Sequence, residues 1–180
     1  MKKVLFILLL TLSYSSFSQK YFTRTGNTDF KASVAVFEPI EATNNSTSVL
    51  LNTNTGALVA QLFMTAFQFR VALMQEHFNE NYMDSYKYPK AIFKGELSNF
   101  NLLKVNEKEK HTLTGILTIK GITKEIKTTA FLKKENNTLF LKATFIVSPK
   151  DFKIDIPAIV EKKIAKNIEV SINYTLNEKE

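Results

Sequence analysis

From about residue 90 onward, apolar and polar residues alternate with a period of two, as a strand half-buried in a sheet requires. In HTLTGILTIKG the inward set is Leu113, Leu117 and Ile119, opposed by Thr112, Thr114 and Thr118, while Ile116 interrupts the polar face. In KEIKTTAFLKK it is Ile126, Ala130 and Leu132, with Lys127, Thr129 and Lys133 outward. TLFLKATFIVS sets Leu139, Leu141, Ala143, Phe145 and Val147 against Lys142 and Thr144. NIEVSINYTL sets Ile168, Val170, Ile172, Tyr174 and Leu176 against Glu169, Ser171, Asn173 and Thr175. These patterns predict antiparallel strands with one dry and one wet face.

Lys120-Gly121 and Asn136-Asn137 are short enough to turn hairpins between them. Upstream, TSVLLNTNTGALVAQLFMTAFQF predicts two strands around Asn54-Thr55-Gly56, the second long, with Phe63, Phe67 and Phe69 in one phase. KYFTRTGNTDFKASVAVF predicts one or two shorter strands around Gly26-Asn27. Two segments have helical character. Met74, Phe78 and Tyr82 recur every four residues on one face, with Glu76, Glu80 and Asp84 on the opposite side. Pro157 is placed to open a second short helix in PAIVEKKIAKN. Eight or nine hairpin-connected strands interrupted by a helix fit a closed antiparallel barrel or a sandwich. Closure removes unpaired strand edges, but the period alone does not choose between the two.

Length and composition narrow the class. The 180 residues suit one domain, and 44% apolar content with 15 Phe supplies an interior. Residues 1–18, MKKVLFILLLTLSYSSFS, run from two lysines through an apolar stretch to small serines. That is the order of a secretory signal peptide, cleaved after Ser18 to leave a domain of residues 19–180 in the periplasm or outside the cell. Cleavage removes two lysines and no acid, leaving 22 basic against 17 acidic residues, a net charge of +5. The chain has no Cys, so disulfides, thiol chemistry and a cysteine-linked lipid anchor are excluded. No second apolar run is long enough to span a membrane, so stable membrane insertion is not expected.

Candidate chemistry is sparse. His77 with Glu80 offers two metal ligands from adjacent helical turns, but a zinc site wants three or four, and the other histidine, His111, begins a distant strand. A histidine at a helix edge is the better reading, and Tyr88-Pro89 then makes HFNENYMDSYKYPKAIFKG a hinge from helix to strand. There is no Gly-x-Ser-x-Gly turn and no phosphate-cradling glycine loop. Asp151 and Asp155 lie in a lysine-rich stretch that reads as a solvated loop. The net positive charge raises nucleic acid, but the Phe residues fall mostly in the buried phase rather than on an exposed stacking face. No catalytic residue and no metal site are expected. The inward positions are apolar and Phe-rich, with Ala91, Ala130, Ala143, Gly95 and Gly115 as small exceptions. An eight-stranded barrel either fills its centre or keeps room for one small ligand, and both fit this pattern equally.

Four segments in order, HFNENYMDSYKYPKAIFKG, LTGILTIKGITKEI, FIVSPKDFKI and NIEVSINYTL, together resemble the YceI-like family. Its pattern is a helix ending before Tyr-Pro-x-Ala-x-Phe, a Gly-x-Leu-Thr-Ile-x-Gly-Val-Thr-Lys hairpin, and a late Asp-Phe-Gly-Ile-like loop. The match covers most of residues 70–176, with Ile122 replacing the usual Val and Lys153 standing where the family has Gly. The resemblance implies an all-β fold: an extended eight-stranded antiparallel, lipocalin-like barrel with one or two short helices. It also implies an exported carrier that holds a polyisoprenoid, a quinone-like lipid or another long apolar chain inside the barrel, often as a homodimer, with no catalytic residues to carry over. On that reading the lining is Phe63, Phe67, Phe69, Phe93, Leu117, Ile119, Phe145 and Ile172, with Met74 and Phe78 closing one end. The alternative is a filled barrel serving as a non-catalytic interaction module of the cell envelope.

Overall fold

The computed structural model describes residues 19–34, 38–105 and 109–179; the expected signal peptide lies outside them. The strands are β1 (Lys20–Ser33), β2 (Glu41–Asn52), β3 (Ala57–Phe63), β4 (Gln68–Phe69), β5 (Lys90–Leu97), β6 (Glu109–Ile119), β7 (Ile122–Glu135), β8 (Thr138–Val147) and β9 (Ile164–Glu178). They form one antiparallel sheet in the order β1-β9-β8-β7-β6-β5-β3-β2-β4, and β1 also pairs with β2. That last pairing closes the sheet. Because β4 adds only two residues beside β2, the wall is an eight-stranded barrel.

The alternation read from the C-terminal half is realised strand by strand. Leu113, Leu117, Ile126, Ala130, Leu132, Leu139, Leu141, Ala143, Ile172, Tyr174 and Leu176 are all buried. Cross-strand registers such as Leu139↔Leu176 and Leu141↔Tyr174 keep them on the inner face. Two-residue turns join β6 to β7 and β7 to β8, with Ile119 opposite Ile122 and Glu135 opposite Thr138. Lys120, Gly121 and Asn136 take the positive φ that such tight turns need.

The N-terminal half departs from the simple period. A single 14-residue strand β1 replaces the one or two shorter strands expected around Gly26. Register shifts between Thr23 and Gly26 and between Gly26 and Thr28 mark bulges, first in β1 and then in β2. The buried set therefore runs Tyr21, Thr23, Gly26, Thr28, Ala32 on β1 and Ala42, Asn44, Thr47, Val49, Leu51 on β2. Side chains take up the backbone donors freed there: Thr23 Oγ1 accepts from the Thr25 N–H at 3.2 Å, and Asn44 Oδ1 from the Ser46 N–H at 2.9 Å. Gly26 is required because a Cβ there would lie 2.7 Å from the Tyr174 ring.

The long strand expected to reach Phe69 is broken. A 3₁₀ turn over Met64–Ala66 separates β3 from β4 and resets the phase of the side chains beyond it. The helix expected around Met74 is short: α1 spans Ala72–His77 and continues as one π-turn over Phe78–Tyr82. The Met83 N–H donates to the Phe78 carbonyl at 2.9 Å, so Met83 rather than Tyr82 swings into the interior. Asp84 then turns the chain, with its carbonyl accepting from the Tyr88 N–H at 2.8 Å, and β5 starts after Pro89. The second expected helix does not form. Residues 158–163 are consecutive turns, with Ile159 88% exposed, so the segment has no buried face to offset the cost of a short helix.

Candidate functional site

The two ends of the barrel differ. At one end Tyr21, Leu51, Leu58, Leu97, Leu113, Leu132, Leu139, Leu141 and Leu176 pack together almost without exposure. Val105, Phe100 and Leu102 of the β5–β6 connection seal them from outside. Toward the other end lies a cavity of about 150 Å³. Leu58, Leu113 and Tyr174 form its floor, Phe93, Leu117, Phe145 and Ile172 its wall, and Phe78, Met83, Phe152 and Ile154 its mouth. No charged side chain lines it; the polar lining is Thr28, Thr47, Gln61, Thr128, Ser148 and the Tyr174 hydroxyl.

Two local devices shape the cavity. Gly95 sits opposite Gly115 across β5 and β6. A Cβ on Gly115 would lie 2.5 Å from the Gly95 Cα and 2.6 Å from the Phe93 ring, so the pair exists to let that ring lie across both strands. The small residues at these two positions are therefore filled by Phe93. At the mouth, Phe30, Phe67, Phe69 and Phe78 form an aromatic cluster. Phe78 stacks on Phe30 at 5.6 Å and contacts Phe67 and Phe69 at 5.6 and 5.1 Å. The π-turn that begins at Phe78 is held to the barrel by Lys120, whose Nζ donates to the Tyr82 carbonyl at 2.8 Å.

The floor carries a polar group inside the apolar wall. Thr28 Oγ1 lies 2.9 Å from Thr47 Oγ1 and 3.2 Å from the Tyr174 hydroxyl, and all three side chains are buried. Burial pushes the Tyr174 phenol from 10.0 up to about 12, so it stays neutral at ordinary pH.

Of the residues singled out from the sequence, Phe67, Phe78, Phe93, Leu117, Ile119, Phe145 and Ile172 line this cavity. Three do not. Phe63 is the clearest correction: it points out of β3, is 47% exposed, and lies beneath the Lys90 Nζ at 5.0 Å. Its apparent phase with Phe67 is lost because the 3₁₀ turn over Met64–Ala66 intervenes. Phe69 packs behind Phe30 and Phe78 without reaching the cavity. Met74 lies one turn before Phe78, half-buried on α1 and away from the lining. Sequence reasoning missed Thr28, Thr47, Met83 and Phe152. Bulges and the π-turn place the first three; Phe152 is brought in by the 3₁₀ turn over Pro149–Phe152, which ends on left-handed Lys153 at φ 51°. The Gly that the family carries at this place was the available signal.

His77 is exposed, as are Asp151 and Asp155. Among the described residues no three His, Asp or Glu side chains converge as metal ligands. No helix among them is long and apolar enough to cross a membrane.

The comparisons with known proteins agree with this geometry. The chain is similar in fold to a polyisoprenoid binding domain from Saccharophagus degradans implicated in plant cell wall breakdown, with a TM-score of 0.75 at 11% identity over 89% of this chain and 98% of that one. BcnA of Burkholderia cenocepacia superposes with a TM-score of 0.68 at 14% identity, over 83% of this chain and 95% of its own. A YceI protein of Campylobacter jejuni gives 0.66 at 18% identity, over 80% and 88%. No curated protein matches the sequence. The family model for the YceI-like domain matches residues 12–176, and the chain belongs to that family.

Proposed function

We propose that this protein is an exported, non-catalytic carrier that sequesters a polyisoprenoid or another long-chain lipid by burying it in the open half of the barrel. The observation that carries the reading is a cavity free of charged lining that opens at one end of a barrel whose other end is filled. The similarity in fold to a polyisoprenoid binding domain supports the same ligand class. Burial contributes about 0.8 kcal/mol per CH₂, or roughly 4 kcal/mol per five-carbon unit. A few units offset the cost of association without any directional chemistry.

The size of the cavity sets a condition. A space of about 150 Å³ is of the order that admits a single aromatic ring. A longer chain fits only if the half-buried rings of Phe30 and Phe78 move aside, and these lie at the mouth, where displacement costs least packing.

The test is solvent extraction of the purified protein followed by mass spectrometry, on the native chain and on Ala60→Trp. Ala60 faces the cavity from β3 opposite Phe93, so a Trp there fills the space from within. Native protein is expected to yield a stoichiometric long-chain lipid and the folded variant none. A native protein that yields no lipid, and takes up none when offered, supports a filled interaction module instead.

A further inference from the structure

The chemistry of the cavity floor specifies more than an apolar chain. Three hydroxyls, of Thr28, Thr47 and Tyr174, are joined by two hydrogen bonds. Three hydroxyls own three hydrogens, and two bonds use two of them. One O–H therefore remains to donate whichever way the bonds run. Thr47 is 1% exposed, Tyr174 3% and Thr28 5%, and all three residues border the cavity, so that donor is shut off from bulk water and lies beside the cavity. The arrangement is built with some effort. It takes the bulge in β1 and the bulge in β2 to turn Thr28 and Thr47 inward together, and Gly26 to leave room for the Tyr174 ring.

Resting on the carrier reading above, we propose that the ligand enters head first and that its head is an uncharged group with one accepting oxygen, a hydroxyl or a carbonyl, received by Thr28, Thr47 and Tyr174. Ionised heads are rejected from this position. A phosphate or carboxylate at the floor would lose its hydration with no charged partner among the lining residues, a cost that three neutral hydroxyls do not offset. The neutral donor has the opposite preference: left without a partner it is itself a buried unsatisfied group, and an accepting oxygen removes that penalty. A chain with a charged head is confined to the reverse orientation, tail inward and head at the mouth, where it gains nothing from the hydroxyls.

The experiment compares farnesol, farnesene and farnesyl diphosphate on the purified protein stripped of lipid, by competition against a fluorescent fatty-chain probe. Farnesol is expected to bind about tenfold more tightly than farnesene, the ratio that one satisfied buried hydrogen bond supports. The diphosphate should rank below farnesol, with an affinity that falls as salt rises. In the triple variant Thr28→Val/Thr47→Val/Tyr174→Phe, which keeps none of the three O–H donors, the ratio of farnesol to farnesene should shrink to one, whereas Tyr174→Phe alone still leaves two hydroxyls joined by one bond, and so one O–H to donate, and should keep the preference. Equal binding of farnesol and farnesene by the native protein overturns the inference while leaving the carrier reading intact. So does a diphosphate that binds tightest, or a ratio unchanged in the triple variant. Should a variant not fold, the ranking on the native protein decides. Failure of all three compounds to bind overturns the carrier reading itself, and this inference with it.

Discussion

The filled and open halves of the barrel are made by the same strands, yet they are packed from different material. In the filled half, strand positions are mostly leucine: Leu51, Leu58, Leu132, Leu139, Leu141 and Leu176 are each at most 1% exposed. In the open half the same strands present Phe30, Phe145, Val147, Ile168 and Val170, all only partly buried. What covers each end differs as well. The filled end is stoppered by Val105, Phe100 and Leu102, which enter the core. The open end is covered by the π-turn, followed by buried Met83, and by the 3₁₀ turn that buries Phe152; both side chains border the cavity without filling it. One half thus holds the barrel together and frees the other to leave apolar surface unsatisfied, which is what a site for an apolar ligand needs.

Truncation gives the largest expected contrast between the halves. Leu141→Ala, in the filled half, removes a side chain with no exposure and should cost about 3 kcal/mol or more, the usual price for a leucine whose neighbours do not collapse. Val147→Ala, beside the cavity, should cost about 1 kcal/mol because its methyls are already partly uncovered. Urea unfolding of the two variants measures both, and equal losses would remove the distinction.

Next in size is an alkaline effect that belongs to the boundary between the halves, where Tyr174 lies. Its folded-state value of about 12 exceeds the 10.0 of an unfolded tyrosine. The unfolded chain therefore loses this proton first, and the stability tied to it is complete below pH 10 and declines between pH 10 and about 12. The decline attributable to this group is about 2–3 kcal/mol. Tyr174→Phe should flatten that part of the stability profile, and an unchanged slope in the variant would place the alkaline sensitivity elsewhere.

The smallest effect concerns the cover of the open end. Lys153 holds a left-handed conformation at φ 51° and ψ 38° directly after buried Phe152. Lys153→Gly should stabilise the protein by about 1 kcal/mol, since glycine bears no steric penalty there. Thermal unfolding tests it; a loss of stability would mean that the lysine side chain contributes more than its backbone conformation costs.

The C-terminal strands were legible because only two-residue turns interrupt their alternation from Leu113 to Val147, and nothing interrupts it again from Ile168 to Leu176. Where the chain departs from period two, the reading failed in a definite way. Phe63 and Phe67 are separated by an even number, yet the turn over Met64–Ala66 sends them to opposite sides of the wall. Tyr82 has the α-helical spacing from Phe78, and the π-turn gives its place to Met83. Thr28 and Thr47 were not singled out, because only the bulges in β1 and β2 fix which residues of the two strands share the inner face.

By itself, then, the sequence determined that the chain is an all-β domain with an apolar, Phe-rich inner face, because period and composition are local properties of the chain. It could not determine whether that inner face closed on itself or around a space. That depended on which end the loops stopper, how Gly95, Gly115 and Phe93 divide the volume, and where three hydroxyls from β1, β2 and β9 meet. These are contacts between residues up to 146 positions apart, and they exist only once the barrel is closed.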